Sequence, residues 1–420
     1  MECEIASIEK NGAWELTDLP TRAKKIGVKR VFKTKMNEIE EVDKCKARLV
    51  AKDYAQQAGI DYTEAPRAWF NKIESYFFNE GFERSTSDHT LFTKKEGGRD
   101  VLIMNLYVDG LIFRGSSEKM FQEFKSSMKR EFEMTDLGCM RYFLGVEVTQ
   151  NSNGIFICQR KYVNEVLEMF GLQNCSSVTN PIVPGCKLTK DAGGLKVDAT
   201  TYKQMVGSLM YLTATRPDLV YVVSLVARFL EAPTTMHQQT MKRVLRYLRG
   251  TTELGLCYKR EGEENLVAFC DSDYAGDLED RKSTSGYVFK MSNGLVAWSS
   301  KKQSVVSLST TEAEFISVAA CVAQSIWMMR ILESLGVKQS KCIIFCDNSS
   351  TIKLSKNPVM HGKSKHIHVR FHFLRELANQ GEIELVHCGT KNQLADIMTK
   401  TLNREVFMKL REIKLTMILE

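Results

Sequence analysis

The chain has 420 residues, more than one ordinary domain requires, with 43% hydrophobic and 26% charged residues. That balance excludes a disordered chain and leaves ample material for buried cores. The 58 basic and 51 acidic residues leave a net charge of +7, which permits a polyanionic partner without demanding one. Twelve cysteines are too sparse for a disulfide scaffold, and none forms a Cys-x-x-Cys pair, so zinc ribbons and thioredoxin-like redox motifs are excluded. They read as reduced core thiols. The first twenty residues contain Glu2, Glu4, Glu9 and Lys10 but no apolar signal core. The longest strongly apolar uncharged run, 315–329, is shorter than the ~20 residues needed to span a bilayer. An intracellular protein, cytoplasmic or nuclear and without a membrane partner, is therefore expected.

Between positions 22 and 35 lie Arg22, Lys24, Lys25, Lys29, Arg30, Lys33 and Lys35 with no acidic residue. Val28, Val31 and Phe32 interrupt the charge, which predicts a basic strand pair able to grip phosphates, or a lysine-protected edge strand. Residues 101–108 form a buried-strand run, Asp109-Gly110 follows, and the apolar pattern resumes at Leu111. Asp-Gly between such runs predicts a type I′ hairpin, with Asp109 a turn residue first. From about 116 to 252 the pattern is largely helical: Phe121, Phe124, Met128 and Phe132 recur at helical spacing. Asn153-Gly154 signals a second hairpin. Near 241–249, Lys242, Arg246 and Arg249 share a face opposite Leu245 and Leu248, a basic stripe suited to a phosphate backbone. The segment 176–200, with Pro181 and Pro184, reads as a linker.

The last third carries the chemistry. A strand over 266–270 ends at Asp271-Ser272-Asp273, a hairpin turns at Asn293-Gly294, and a long helix over about 310–335 is entered through Ser309-Thr310-Thr311-Glu312. A strand over 342–346 ends at Asp347, a fifth strand covers 382–386, and a final helix over 392–401 bears Asp396. This β-β-β-α-β-α-β-α order implies an α/β (α+β) mixed sheet of five strands. Strand ends and helix starts converge at a sheet edge, so Asp271, Glu312, Asp347 and Asp396 are the candidate catalytic and metal-binding residues. Such a cluster repels itself when ionised and requires cations. Its oxygens favour Mg²⁺ or Mn²⁺, and two ions would support in-line hydrolysis of a phosphodiester. Each acid also has an ordinary reading: Ser309-x-x-Glu312 is a capping box, Asp347 and Asp271 sit at turns, and Asp396 lies on a surface.

At these residues the chain resembles the Pol polyprotein of copia-type long-terminal-repeat retrotransposons, from reverse transcriptase through ribonuclease H. Lys46-Ala47-Arg48-Leu49-Val50-Ala51-Lys52, Ala65-Pro66-Arg67-Ala68-Trp69, Tyr107-Val108-Asp109 and Tyr142-Phe143-Leu144-Gly145 match the polymerase boxes. Asp271-Ser272-Asp273-Tyr274-Ala275-Gly276, Arg281-Lys282-Ser283-Thr284-Ser285-Gly286-Tyr287 and Trp298-Ser299-Ser300-Lys301-Lys302-Gln303 match the ribonuclease H region. So do Ser309-Thr310-Thr311-Glu312-Ala313-Glu314, Cys346-Asp347-Asn348 and Ala395-Asp396-Ile397. The resemblance implies a truncated fingers and palm remnant over 1–150, a thumb or connection-like helical region over 151–255, a ribonuclease H-like domain over 256–402 and a tail over 403–420. It implies that Asp271, Glu312, Asp347 and Asp396 bind two ions that cleave the RNA of an RNA–DNA hybrid. Glu314 and Asp273 are second choices, since residues two apart on a helix do not face the same way.

The polymerase half departs from the family. The segment separating Asp-Tyr-Thr-Glu from Ala-Pro-Arg-Ala-Trp is absent, because Glu64 meets Ala65 directly, and with it the first metal-binding aspartate. Tyr-Val-Asp-Asp has become Tyr107-Val108-Asp109-Gly110. Asp109 alone cannot hold two ions, so the polymerase is expected to be inactive and its core partly exposed. Five of the seven histidines fall between His361 and His387, interleaved with Lys363, Lys365, Arg370 and Arg375. Lys363, Lys365, His366 and His372, with Lys242 and Arg246, are the expected hybrid contacts. The alternatives are a non-catalytic transposon relic that binds nucleic acid, and an integrase-like nuclease, which would want a His/Cys zinc module.

Overall fold

The computed structural model describes residues 28–36, 42–51, 65–96, 100–108, 110–132, 134–190, 194–262, 265–356 and 365–414. Contacts divide the chain into two units, Met1–Gly138 with Ser334–Gly336, and Cys139–Glu333 with Val337–Glu420.

In the first unit, β1 (Val28–Met36) pairs antiparallel with β2 (Val42–Ala51), the basic strand pair the sequence predicts. The register sets Lys33 opposite Lys46 and Lys35 opposite Lys44. Helix α1 (Ala65–Asn79) precedes an antiparallel sheet of β3 (Glu83–Arg84), β4 (Leu91–Glu96), β5 (Asp100–Tyr107) and β6 (Gly110–Gly115), and α2 (Glu118–Glu131) follows. Despite the missing segment, this unit has its own aromatic core. Phe77, Phe82, Phe92, Phe124 and Phe132 are buried with Ile73, Leu102 and Met104. Phe77 meets Phe82 and Phe92 at centroid distances of 5.6 and 5.0 Å, the geometry in which ring edges face ring faces. The apolar side chains of Phe78, Tyr107 and Val108 are exposed.

The second unit contains two sheets. Strands β7 (Tyr142–Phe143), β8 (Val146–Asn151), β9 (Gly154–Cys158) and β10 (Leu256–Lys259) form an antiparallel sheet in the order β10-β9-β8-β7. Between β9 and β10 lie α3 (Arg160–Met169), α4 (Ala199–Leu212), α5 (Val220–Val226) and α6 (Thr235–Arg249). The second sheet has β11 (Leu266–Ser272), β12 (Thr284–Met291), β13 (Gly294–Lys302), β14 (Cys342–Cys346) and β15 (Ile383–His387) in the order β13-β12-β11-β14-β15. β11, β12 and β13 are antiparallel neighbours, while β14 runs parallel to β11 and β15 parallel to β14. This is the mixed five-stranded sheet read from the sequence. Helices α7 (Thr310–Ser334), α8 (Ser349–Lys356), α9 (Lys365–Asn379) and α10 (Arg404–Lys414) complete it. By length and composition α7 alone among the described helices passes as a membrane span, but half of its apolar window is buried, as in a core helix.

Three details differ from the sequence reading. At each Xaa-Gly signal the glycine starts the second strand rather than sitting in the turn: Tyr107 pairs with Gly110, Asn151 with Gly154 and Met291 with Gly294. The turn residues are therefore one position earlier, and Val108 and Ser292 take left-handed φ values of 52° and 54°. The helix expected over 392–401 is instead two 3₁₀ turns, Thr390–Asn392 and Leu394–Met398. The expected linker is packed: Ile182 and Leu188 are buried with the helices.

The core that holds those helices also takes in Val288 and Leu295 from the five-stranded sheet and Phe407 and Leu410 from α10. At its centre Arg216 is fully buried. Its Nη2 lies 2.8 Å from Asp218 Oδ2, its Nη1 donates to the Thr251 carbonyl at 2.9 Å, and Tyr247 Oη donates to the same Asp218 oxygen at 2.7 Å. Removing one member of such a network strands a buried charge. Asp218→Ala should therefore lower stability by about 3–5 kcal/mol in urea unfolding, and Tyr247→Phe by about 1 kcal/mol.

Candidate metal centre

Parallel pairing brings two strand ends together. Phe269 of β11 pairs with Phe345 of β14, so Asp271 and Asp347 each follow two residues beyond the same rung. Asp271 is fixed from behind: its carbonyl accepts from Ser317 Oγ of α7 at 2.7 Å, and its carboxylate accepts from the Thr399 hydroxyl. Asp347 is half-buried and accepts from Thr390 Oγ1 at 3.3 Å, while the neighbouring Asn348 caps α8 by accepting from Thr351 N at 3.0 Å.

Asp396 arrives on the 3₁₀ turn Leu394–Met398, which a buried amide anchors to the sheet. Gln393 Nε2 donates to the Cys270 carbonyl at 2.9 Å, and Gln393 Oε1 accepts from Ala395 N at 3.1 Å. The approach is close enough to require a glycine beneath it, since a Cβ on Gly286 would stand 2.6 Å from Met398 Cβ. Carboxylate oxygens of Asp271, Asp347 and Asp396 consequently lie within 4.8 Å of one another.

The fourth position separates the two glutamates. Glu312 turns back over its own helix start: its Oε2 accepts from Leu308 N at 2.9 Å, and its own amide donates to Ser309 Oγ at 3.1 Å. That is the capping reading of Ser309-x-x-Glu312. Glu314, two residues on, points into the sheet and accepts from Ser272 N at 3.3 Å. One of its oxygens lies within 4.8 Å of Asp347 and of Cys346 Sγ. Its Oε2 is buried without a hydrogen-bond partner. The second-choice acid, not the first, thus adjoins the aspartates. The other second choice, Asp273, braces a loop: it accepts from Thr284 N at 2.5 Å and folds over Gly276.

Burial and mutual repulsion set the protonation of this cluster. Burial first, then Asp271, Cys346 and Asp347, push Glu314 up to about 10. Burial and Asp271 push Asp396 up to about 6 against the pull of Lys400, and burial with Asp271 raises Asp347. The all-carboxylate group of Asp271, Asp347 and Asp396, with the unpartnered buried oxygen of Glu314 beside Asp347, fits a hard divalent cation such as Mg²⁺ or Mn²⁺.

Two further residues of this centre were not anticipated. Lys400 Nζ stands 2.9 Å from Asp396 Oδ1 and 3.5 Å from Asp271 Oδ2. Its spacing of four from Asp396 was the available signal. Gln303 Nε2 donates to Ser285 Oγ at 2.9 Å and to the Ala313 carbonyl at 2.9 Å, tying β12 to the start of α7.

The expected nucleic-acid contacts fare unevenly. Lys242 is exposed on α6. Arg246 is engaged within the protein, its guanidinium donating to Ser176 O at 2.8 Å and Ser176 Oγ at 2.9 Å. Arg249 does the same to Gln173 O at 2.7 Å. The helical stripe therefore pins the segment before Asn180 instead of standing free. His372 is exposed on α9, 3.0 Å from Arg375 Nη2. Lys363 and Asp109 lie outside the described residues, as do the side chains of Lys365 and His366.

Comparison with known proteins places the chain among transposon relatives. Residues 11–65 and 62–184 match the profile described as reverse transcriptase (RNA-dependent DNA polymerase). The Pol polyprotein of transposon TNT 1-94 from Nicotiana tabacum is 31% identical, covering 98% of this chain and 37% of its own length. That of transposon RE1 from Arabidopsis thaliana is 31% identical, covering 97% and 33%. A Ty5-1 transposon protein of Saccharomyces cerevisiae is 31% identical over 62% of this chain and 85% of its own length. Among solved structures, a foamy viral protease-reverse transcriptase in complex with an RNA/DNA hybrid covers 85% of this chain and 42% of its own, at 13% identity and a TM-score of 0.47. The N-terminal RNase H domain of rv2228c from Mycobacterium tuberculosis covers 35% and 96%, at 14% identity and a TM-score of 0.25.

The sequence relatives define a protein of the retrotransposon Pol class. The chain belongs to the Pol family of copia-type long-terminal-repeat retrotransposons, in its reverse transcriptase and ribonuclease H region. It spans about a third of the length of the curated Pol polyproteins it matches. The TNT 1-94 alignment runs over 494 residues against 420 here, so that relative carries residues with no counterpart in this chain. The profile match breaks at 62–65, where Glu64 meets Ala65.

The raised carboxyls give a stability signature with a definite sign. An acid whose folded pKa lies above its unfolded value near 4 contributes stability below that value and loses it as pH rises. For Asp396 the loss runs from about 4 to about 6, and for Glu314 it continues toward about 10. Melting in a chelator should therefore show Glu314→Gln gaining on the parent as pH rises from 5 to 9. A difference that stays flat across that range would contradict the placement of Glu314.

Proposed function

We propose that the second unit is a ribonuclease H-type endonuclease that hydrolyses the RNA strand of RNA–DNA hybrids with two Mg²⁺ or Mn²⁺ ions. The observation that carries this reading is the convergence of Asp271, Asp347 and Asp396 within 4.8 Å at the ends of β11 and β14, with Glu314 beside them. Asp271, Asp347, Asp396 and Glu314 would hold the ions. When bound, these supply charge neutralisation at the phosphate and an activated water. Asp271 is set for that task by its hydrogen bonds to Thr399 and Ser317, and Asp396 by the turn that Gln393 anchors. Glu312 supports the centre from outside by fixing the first turn of α7. The 2′-hydroxyl is the group by which an RNA strand differs from DNA.

In the first unit no DNA synthesis is proposed. The resemblance implies that the segment with the first metal-binding aspartate is absent where Glu64 meets Ala65, and the remaining turn reads Tyr107-Val108-Asp109-Gly110. That unit retains a charge pattern suited to a polyanion. The backbone register sets Lys33 opposite Lys46 and Lys35 opposite Lys44, a concentration of basic residues suited to a phosphate backbone.

The test is cleavage of an end-labelled RNA–DNA hybrid in Mg²⁺. Asp271→Asn, Asp347→Asn and Glu314→Gln should each lose at least about 100-fold in rate, whereas Glu312→Gln should stay within about fivefold of the parent. Equal rates in the parent and all three site variants would reject the assignment, and hybrid binding without cleavage would favour a non-catalytic relic. Primer extension on an RNA template should yield no product.

A further inference from the structure

Lys400 is the cation in this centre, and its neighbours differ from it in one respect. Asp271 and Asp396 are held in place, with side chains only 2% and 7% exposed, while the Lys400 side chain is 37% exposed. The Lys400 backbone amide is fastened, donating to the Asp396 carbonyl at 3.2 Å. The side chain of Lys400 lines a small cavity with Asn180, Ile182, Leu402 and Phe407. A side chain that is over a third exposed on an anchored backbone can move its ammonium outward without unfolding anything. The two carboxylates it bridges belong to the group whose oxygens converge as candidate ligands.

Resting on the metal-centre reading above, we infer that the Lys400 ammonium is a tethered counter-ion that competes with divalent cations. It neutralises Asp271 and Asp396 in the metal-free protein and must withdraw from them when those carboxylates take a cation. Several carboxylates confined within a few ångströms are costly without a nearby positive charge, and Lys400 supplies one from the chain itself. Although burial alone disfavours it, the proximity of Asp271, Asp396 and Asp347 holds Lys400 firmly protonated, consistent with that service. The consequence is a threshold: metal uptake must exceed the affinity of an ammonium permanently present at the site.

Mn²⁺ titrated calorimetrically into the full chain, without nucleic acid, tests this. Lys400→Met and Lys400→Gln should each lower the half-saturating Mn²⁺ concentration by about fivefold or more, with Lys400→Arg close to the parent. In a chelator the two neutral variants should melt below the parent, and saturating Mn²⁺ should close the gap. Amine acylation read by peptide mass spectrometry reports the movement directly. Lys400 in the parent should become more reactive when Mn²⁺ is added, and in Asp271→Asn it should not respond to Mn²⁺. Unchanged Mn²⁺ isotherms in folded Lys400→Met and Lys400→Gln, or Lys400 reactivity indifferent to Mn²⁺ in the parent, would overturn the inference. Loss of Mn²⁺ binding in Asp271→Asn alongside either result leaves the metal centre standing and removes only the role of Lys400. Parent-like binding in Asp271→Asn removes the metal centre itself.

Discussion

Repulsion among carboxylates gathered at one end of two parallel strands governs the second unit. Asp271 and Asp347 meet because β11 and β14 run in the same direction, and an antiparallel pairing would have sent their ends apart. There, burial and then the Asp271 charge raise the protonation of Glu314 and Asp396. Lys400 apart, the side chains that brace these acids are neutral. Buried amides of Gln393 and Gln303 and hydroxyls of Ser317 and Thr399 do the bracing, through bonds to backbone carbonyls, hydroxyls and Asp271 itself. A neutral donor fixes a carboxylate's position without cancelling the charge that makes it useful.

Much of this was legible in the sequence, and the failures have physical causes. Alternating apolar runs punctuated by Asn-Gly and Asp-Gly located all three hairpins, yet the turns fell one residue early because the glycine was needed where the second strand begins. Strand ends marked Asp271 and Asp347, and the sheet order followed from the succession of elements. Glu312 and Glu314 could not be separated by pattern alone, since both lie in the first turns of α7. The capping signal at Ser309 in fact pointed to the answer, because a carboxylate committed to the helix start is turned away from the sheet. Arg246 illustrates a different blindness. Helical periodicity places it on a polar face but says nothing about a distant segment supplying carbonyls to that face. Gln303 and Gln393 left no periodic trace at all, because a hub amide is defined by what surrounds it.

The first unit shows how apolar residues reorganise the energetics of a shortened domain. Its four-stranded sheet retains side chains enough to enclose Phe77, Phe92 and Phe132, with ring contacts between Phe77 and Phe92 and between Tyr76 and Phe132. Burial of this kind depends on immediate neighbours, whereas a metal site depends on residues drawn from far apart in the chain.

The hydrophobic core of the second unit crosses the boundary suggested by sequence. Val288 and Leu295 from the five-stranded sheet, Ile182 and Leu188 from the supposed linker, and Phe407 and Leu410 from α10 lie in one cluster. Trp298 Nε1 donates to the Thr213 carbonyl at 3.0 Å, and Arg228 pairs with Asp277 at 3.0 Å, so polar ties follow the same route. In genetic terms, the residues that wall this core are spread from Val163 to Leu410, well beyond the sheet by itself. Frameshifts or stops anywhere in that stretch, even at the last helix, strip the core of a wall. A lesion upstream, such as the join at Glu64 and Ala65, leaves the same core whole.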